Sequence, residues 1–343
     1  MRRLILRAQS FLGLPIVPGW RTRFGDILLI VVFSALSTLD AIKSVVNWAL
    51  GWDAIIYTYA ARAVLAGEDP WGPAGGAALF AGPPPSMLAY LPFVWLPDPV
   101  VAVVWSGVAL ASGVYVLRKL GLPLWWLTFP PVFVAILAGS TALPVTALIV
   151  RGGALAEGFA VALRAYAALP LAILGRWRAL VAAAGIVVVT APFLDWPHFI
   201  ASLDTLWQVL SYQTTGGKSA ASVPWLIPLA VSCLFLLGRR RAAWFIVPAL
   251  WPYTQNYYAV ISLPAVAAAP LVALSLAVDN VAGFVVVGLA AQVVVELLAG
   301  TTFKEILASW LQPVHDPRST SPRSPGAAGS RAGAGPPRSG DPG

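Results

Sequence analysis

The chain has 343 residues, of which 59% are hydrophobic and only 10% are charged. Soluble domains carry about 25% charged residues, so this composition excludes an ordinary water-soluble fold and predicts a polytopic membrane protein. The net charge of +8 comes from basic residues in short clusters between apolar runs. That pattern is typical of positive-inside loops and argues against a nucleic-acid-binding surface. The one cysteine, Cys233, excludes an internal disulfide.

Apolar runs predict an all-α domain over residues 27–299. Residues 1–26 are basic and indicate a retained cytoplasmic or interfacial segment rather than a signal peptide. A membrane-spanning helix needs about 20 apolar residues. Clear candidates are 27–46, 99–117, 178–194, 224–238, 261–278 and 281–299, and shorter or proline-interrupted candidates are 80–96, 123–138, 142–150, 154–175 and 242–252. We therefore expect a bundle of about 8–11 membrane segments, several of them short or broken, which are tolerated where they surround a cavity.

The charge pattern predicts which loops face outward. If the N-terminus and the arginines at 239–241 are cytoplasmic, the loops at 47–79 and 195–223 lie on the outer face. The aromatic segment 251–258 then returns to the same face. Beyond the bundle, 300–311 predicts an interfacial amphipathic helix, and 312–343 predicts a disordered tail rich in Pro, Gly, Ser and Arg.

Few ionisable residues interrupt the apolar segments. Asp40 and Lys43, three residues apart, predict an ion pair on one helix face. Glu157 and Arg164 lie two turns apart and predict a structural polar contact. His198 is interpreted as a helix-end or interface residue. The sequence contains no Gly-rich phosphate loop, no His/Cys metal cluster and no GxSxG nucleophile motif.

The first outer loop, GWDAIIYTYAARAVLAGEDPW at 51–71, is unusually polar. Its spacing places Asp53 and Tyr57 on one helix face, with Arg62 as the basic residue of the loop. Two interpretations of Asp53 remain open, because the residue suits a helix N-cap as well as a chemical role. Glu68 and Asp69, which directly precede Pro70, are interpreted as the end of this helix.

This loop resembles membrane glycosyltransferases of the GT-C type, and most closely glycosyltransferase family 87, the polyprenyl-phosphate-mannose-dependent mannosyltransferases. The residues that carry the resemblance are Asp53, Tyr57, Ala60, Ala61, Leu65, Gly67, Pro70, Trp71, Phe80, Pro84 and Pro85. Weaker matches extend it over most of residues 25–280. Ser140 stands after Gly139 where the family usually has Gln, and Arg164 stands where a Lys followed by Pro is usual.

The resemblance implies an inverting hexosyltransferase that takes a sugar, expected to be mannose, from a polyprenyl phosphate. The acceptor is expected to be an envelope glycolipid or polysaccharide, and the site to face outward from a multi-pass cell-membrane protein. It implies Asp53 as general base, since an attacking hydroxyl must lose a proton while a phosphate leaving group needs no acid. Cofactor and metal are not expected. Candidate substrate-binding residues are Trp52, Tyr57, Arg62, Trp71, Arg164, Lys218, Tyr257 and Tyr258.

Two other hypotheses remain open. One is a lipid or sugar transporter, or a flippase, which would be expected to contain inverted repeats with paired broken helices. The sequence has no internal repeat of that kind, and its candidate acid lies in a loop. The other is a catalytically degenerate GT-C relative. The departures from the family pattern at Ser140 and Arg164 are consistent with that hypothesis.

Overall fold

A computed structural model describes residues 23–46, 50–71, 80–213, 218–252, 255–278 and 281–312. Within these ranges the protein is all-helical and has no β-strand, as the sequence predicts. The chain divides into a unit of residues 1–312 and a short unit of residues 313–343. The predictions for residues 1–22 and for the tail from 313 lie outside the described residues.

The helices of the first half alternate between long segments and short, bent pieces. They are α1 (Arg23–Val46), α2 (Trp52–Ala66), α3 (Pro85–Leu88), α4 (Asp98–Lys119), α5 (Pro130–Leu137), α6 (Ala142–Arg151) and α7 (Ala154–Leu163). Short 3-10 segments occupy Leu91–Phe93 and Leu124–Thr128.

The helices of the second half are interrupted more often. Its helices are α8 (Ala168–Ile173), α9 (Trp177–Thr190), α10 (Trp196–Gln213), α11 (Ile227–Leu236), α12 (Arg239–Leu250), α13 (Leu263–Val266), α14 (Pro270–Ala277), α15 (Phe284–Ala299) and α16 (Phe303–Leu311). Further 3-10 segments occupy Ala165–Ala167, Ala220–Ser222, Pro224–Leu226 and Asn256–Ser262.

One predicted continuous segment is wrong. The segment 261–278 is divided between a 3-10 helix, α13 and α14, with Ala269 out of helical geometry at φ −137°. Pro270 follows it, and a residue before proline is driven away from the helical region. The segment 154–175, which the sequence predicts to be short or proline-interrupted, is interrupted at Arg164, where the backbone is extended with φ −147°.

Length and composition identify few of the described helices as membrane spans. One helix, α4, with 22 residues, is long and apolar enough to cross a bilayer. The number rises to three if the bent pairs α5–α6 and α15–α16, with angles of 117° and 116°, each count as one span. The larger number of spans expected from the sequence therefore stays a prediction.

Small residues let neighbouring helices approach closely. A Cβ at Gly158 of α7 would lie 2.8 Å from the Cβ of Ala182 in α9, and one at Gly288 of α15 would lie 2.1 Å from the Ser275 hydroxyl in α14. Such contacts are typical of helix pairs in membranes, where dispersion replaces the hydrophobic effect.

Ion pairs form within α1 and between α7 and the start of α9. Lys43 and Asp40 pair within α1 at 3.8 Å, so that prediction is confirmed. The prediction for Glu157 is wrong, because its carboxylate pairs with Arg176 rather than with Arg164. The extended backbone at Arg164 ends α7 and turns that side chain away from the helix face that carries Glu157.

Candidate active site around Asp53

The first turn of α2 is fixed by backbone hydrogen bonds and a close helix contact. The Gly51 N–H donates to the Leu137 carbonyl at 2.8 Å, and the Asp53 N–H donates to the Ala138 carbonyl at 3.0 Å. Gly51 has a φ of 69°, and a Cβ there would lie 2.1 Å from the Cβ of Ala102 in α4. Glycine alone satisfies both conditions. The backbone position of Asp53 is therefore set by contacts outside its own helix.

The Asp53 carboxylate is buried and bonded at both oxygens. Its Oδ2 accepts a hydrogen bond from Arg164 Nη2 at 3.2 Å, and its Oδ1 accepts one from the Tyr257 hydroxyl at 2.9 Å. The residue is only 7% exposed, and a buried carboxylate is tolerated when it is paired in this way. The N-cap of α2 is Gly51, so the interpretation of Asp53 as the helix cap is wrong.

Arg164 connects three parts of the chain. Its Nε donates to the Thr141 hydroxyl at 2.7 Å, and its Nη1 donates to the Tyr258 hydroxyl at 3.3 Å. The guanidinium also lies 4.9 Å from the centre of the Tyr57 ring, a cation–π contact. With the bond to Asp53, three of the five N–H groups of the guanidinium are bonded to side chains in the described ranges, and two have no bond there.

Buried tyrosines surround this ion pair. Burial raises the pKa of the Tyr57 and Tyr257 hydroxyls above the ordinary value of 10, so both stay protonated at neutral pH. The hydroxyls of Tyr57, Tyr90 and Tyr166 are buried without a hydrogen-bond partner among the described residues, as is the indole N–H of Trp105. Unpartnered buried donors are costly, and they mark polar groups able to bind a hydroxylated ligand or water.

Lys218 supports the segment that carries Tyr257. Its ammonium is buried and donates to Asn256 Oδ1 at 2.5 Å and to the Leu276 carbonyl at 2.7 Å. Asn256 directly precedes Tyr257, the donor to Asp53. The candidate phosphate ligand Lys218 thus lies one residue from the carboxylate's hydrogen-bonding partner.

The structure does not bring Arg62 to Asp53. The two residues are nine apart on α2, which is two and a half turns and about 13 Å along the axis, so their side chains lie on opposite sides of the helix. The Arg62 guanidinium donates instead to the carbonyls of Val94 and Leu96 and pairs with Asp98 at 3.0 Å. It fastens α2 to the start of α4, a structural role that the sequence interpretation missed.

The two tryptophans lie at opposite ends of α2. Trp52 is 47% exposed at its start. Trp71 is buried beyond its end, where its indole N–H donates to the Gly82 carbonyl at 3.1 Å. Gly67, with a φ of 73°, ends α2, and Asp69 accepts a hydrogen bond from the Trp71 N–H at 2.9 Å. The prediction that this segment ends the helix is confirmed.

Sequence reasoning missed Thr141 and Tyr166. Thr141 orients Arg164, and Tyr166 packs on Tyr258 at a ring distance of 4.9 Å. A signal for Thr141 was present, because it directly follows Gly139 and Ser140, a weak element of the resemblance. Only the fold brings Tyr166 to the site.

The site combines a carboxylate, a guanidinium and phenols in a buried setting. Such a set can accept a proton and stabilise a developing negative charge in the same place. Among the described residues, no group of three or more His, Cys, Asp or Glu side chains lies close enough together to hold a metal ion.

The chain was compared with protein-family models, with curated protein sequences and with solved structures, and none of the three comparisons gave a match.

Proposed function

We propose that this protein is a membrane glycosyltransferase of the GT-C type. It transfers a hexose, with mannose as the first candidate, from a polyprenyl phosphate to an envelope glycolipid or polysaccharide. The observation that carries the proposal is the buried Asp53 carboxylate, held by Arg164 and Tyr257 within the loop motif that resembles family 87. Three segments distant in sequence supply these groups.

Asp53 acts as the general base. Each carboxylate oxygen has a second acceptor position besides the one filled by Arg164 or Tyr257. An acceptor hydroxyl can donate there, pass its proton to Asp53 and attack the anomeric carbon. The bond between that carbon and the phosphate oxygen breaks, and the polyprenyl phosphate leaves with the electron pair. A single displacement inverts the anomeric configuration.

Arg164 is the first candidate to hold the leaving phosphate. Two of its N–H groups remain after its bonds to Thr141, Tyr258 and Asp53. A guanidinium binds phosphate in a bidentate manner and stabilises the charge that develops on departure. Arg62 is no longer a candidate, because its guanidinium is bonded to the segment before α4.

The sugar is proposed to lie against the buried aromatic groups. Within the described part of the chain, the hydroxyls of Tyr57, Tyr90 and Tyr166 have no hydrogen-bond partner. The same holds for the indole N–H of Trp105, which finds no acceptor in those segments. A hexose offers several hydroxyls, which satisfy such groups better than an apolar ligand would.

A location in the cell membrane is supported by the exposed apolar surface. Helix α4 is long enough to span a bilayer. On α9 and just after it, Val181, Val188 and Phe193 are 71%, 71% and 83% exposed. Large contiguous apolar surfaces are uncommon on soluble monomers, and lipid would cover this one. The proposed site then opens to the outer face.

A donor-specificity assay tests the proposal. Membrane vesicles containing the protein are supplied with a labelled sugar as polyprenyl phosphate or as nucleotide sugar, each in mannose, glucose and arabinose forms. Transfer from the polyprenyl phosphate alone is expected. Direct use of a nucleotide sugar without polyprenyl phosphate would contradict the proposal.

A further inference from the structure

The ammonium of Lys218 links two segments that are distant in sequence. It donates to Asn256 Oδ1 at 2.5 Å and to the Leu276 carbonyl of α14 at 2.7 Å. Hydrogen bonds from a charged donor are stronger than those between neutral groups. The residue is only 1% exposed, so its ammonium is not presented to a lipid phosphate. Lys218 therefore ties the start of the 3-10 segment Asn256–Ser262 to α14.

The anchored segment carries two phenols of the candidate site. Tyr257 directly follows Asn256, and its hydroxyl donates to Asp53 Oδ1 at 2.9 Å. Tyr258 comes next, and its hydroxyl accepts a hydrogen bond from Arg164 Nη1 at 3.3 Å. Both members of the buried ion pair are thus contacted by residues that lie one and two positions after the anchored asparagine.

The local geometry explains how one segment makes both sets of contacts. A 3-10 helix has about three residues per turn, so successive side chains project about 120° apart. Asn256 can therefore reach Lys218 while Tyr257 reaches Asp53. Gln255, which precedes the segment, has an extended backbone and makes no side-chain cap. Since the first N–H groups of a helix lack intrahelical acceptors, contacts from outside fix this end.

We propose that Lys218 is a positioning residue that holds the Tyr257 hydroxyl on Asp53, and that it does not bind the donor phosphate. The bond to Asn256 fixes the backbone from which Tyr257 reaches the carboxylate. With Tyr257 on one oxygen and Arg164 on the other, the carboxylate keeps one orientation toward an attacking hydroxyl. The role in transfer rests on the proposed function, whereas the coupling of Lys218 to Tyr257 does not.

Fluorine NMR of the full chain in detergent micelles tests this coupling without requiring sugar transfer. 3-Fluorotyrosine is placed at position 257, and its signal is recorded with and without the Asp53→Asn change, which removes the charge of the acceptor. With Lys218 present, Asp53→Asn is expected to move the signal. In the Lys218→Met background it is expected to move the signal much less, because the hydroxyl has already left the carboxylate. Equal movement in the two backgrounds, or none in either, would overturn the inference.

Variants at Asn256 test the same bond from its other end. Asn256→Leu removes the acceptor and is expected to reduce the movement as Lys218→Met does, so it decides the test if Lys218→Met fails to fold. Asn256→Asp keeps an oxygen acceptor and is expected to retain the full movement. The matched control is Ser275→Ala, which removes a buried hydroxyl of α14 next to Leu276. Full movement in Asn256→Leu, or an equal reduction in Ser275→Ala, would overturn the inference.

Transfer kinetics separate positioning from phosphate binding. With polyprenyl-phosphate mannose as donor, Lys218→Met is expected to lower kcat by up to about 100-fold, the cost of displacing a group by about 1 Å. The KM for the donor is expected to stay unchanged. A higher KM with unchanged kcat would assign Lys218 to the donor phosphate and overturn the inference. If wild type transfers no sugar, the proposed function fails, and the fluorine signal still decides whether Lys218 positions Tyr257.

Discussion

The Oδ2 atom of Asp53 accepts a hydrogen bond from Arg164 at 3.2 Å, although the two residues are 111 positions apart. Both side chains are 9% exposed. Each charge therefore depends on the other for compensation, since neither reaches bulk water. The same bond places a proton acceptor and a phosphate-binding cation side by side.

Arg164→Gln is expected to destabilise the protein by about 3–5 kcal/mol, because it leaves a buried carboxylate without its cation. The measurement is thermal or denaturant unfolding in detergent. The double variant Asp53→Asn with Arg164→Gln is expected to lose less than the sum of the two single losses. Additive losses would show that the pair is not coupled.

Thr141→Val is expected to cost about 1–3 kcal/mol, because the isosteric side chain leaves the Arg164 Nε–H without its acceptor. Thr141→Ser keeps the hydroxyl and serves as the control, with a smaller loss. Unfolding of the two variants under the same conditions compares them. If Val and Ser at this position cost the same, the hydroxyl has no role in holding Arg164.

Gly51→Ala is expected to be more destabilising than Gly67→Ala, although both glycines have positive φ values of 69° and 73°. The left-handed conformation costs an alanine about 1–2 kcal/mol at either position. At Gly51 the new Cβ also collides with Ala102, whereas at Gly67 no atom lies within 4 Å. Overpacking adds about 1–3 kcal/mol at Gly51. Equal unfolding midpoints would contradict the close approach of α2 and α4.

The contact between His198 of α10 and Asp69, which follows α2, is expected to depend on pH. The hydrogen bond from His198 Nε2 to Asp69, at 3.0 Å, raises the pKa of His198 above 6.5, and the charges of Asp69 and Asp195 add to this. Because the folded-state pKa is raised, the stabilisation is complete below pH 6.5. It is lost as pH rises through the raised pKa.

Proton NMR of the imidazole measures that pKa directly. Asp69→Asn is expected to bring the pKa of His198 back toward 6.5, since it removes the charge and the principal acceptor. Asp195, whose carboxylate accepts a hydrogen bond from the His198 backbone N–H, is unchanged in that variant. An identical pKa in wild type and Asp69→Asn would show that the pair does not form in solution.

Sequence reasoning located the loop that carries Asp53 and the helical class of the fold. The period of α2, its glycine ends and its apolar neighbours are local signals, and those are visible in one sequence. It also placed Arg164, Tyr257 and Tyr258 among the candidates. In the structure Arg164 and Tyr257 donate to Asp53, and Tyr258 accepts from Arg164.

The remaining details depend on contacts between distant segments. Nothing local distinguishes Asp53 as an N-cap from Asp53 as an ion-pair partner, because the deciding group, Arg164, lies on another element. Arg62 is a residue close to Asp53 in sequence that the fold places away from the site. Its proximity in sequence suggested a role at the site, but two and a half helical turns place it on the opposite side of α2 from Asp53, where it pairs with Asp98. The break at Ala269 is different, because it is a local effect of Pro270 that the continuous apolar run conceals.

Asp53→Asn tests the central proposal most directly. The experiment measures mannose transfer from polyprenyl-phosphate mannose in vesicles containing equal amounts of folded wild type and variant. Asparagine keeps the size of the side chain but cannot accept the proton, so the rate is expected to fall by about 10²–10⁴-fold. Transfer by wild type with loss in the variant is the predicted result. Transfer at the wild-type rate in Asp53→Asn would contradict the assignment of Asp53 as the base.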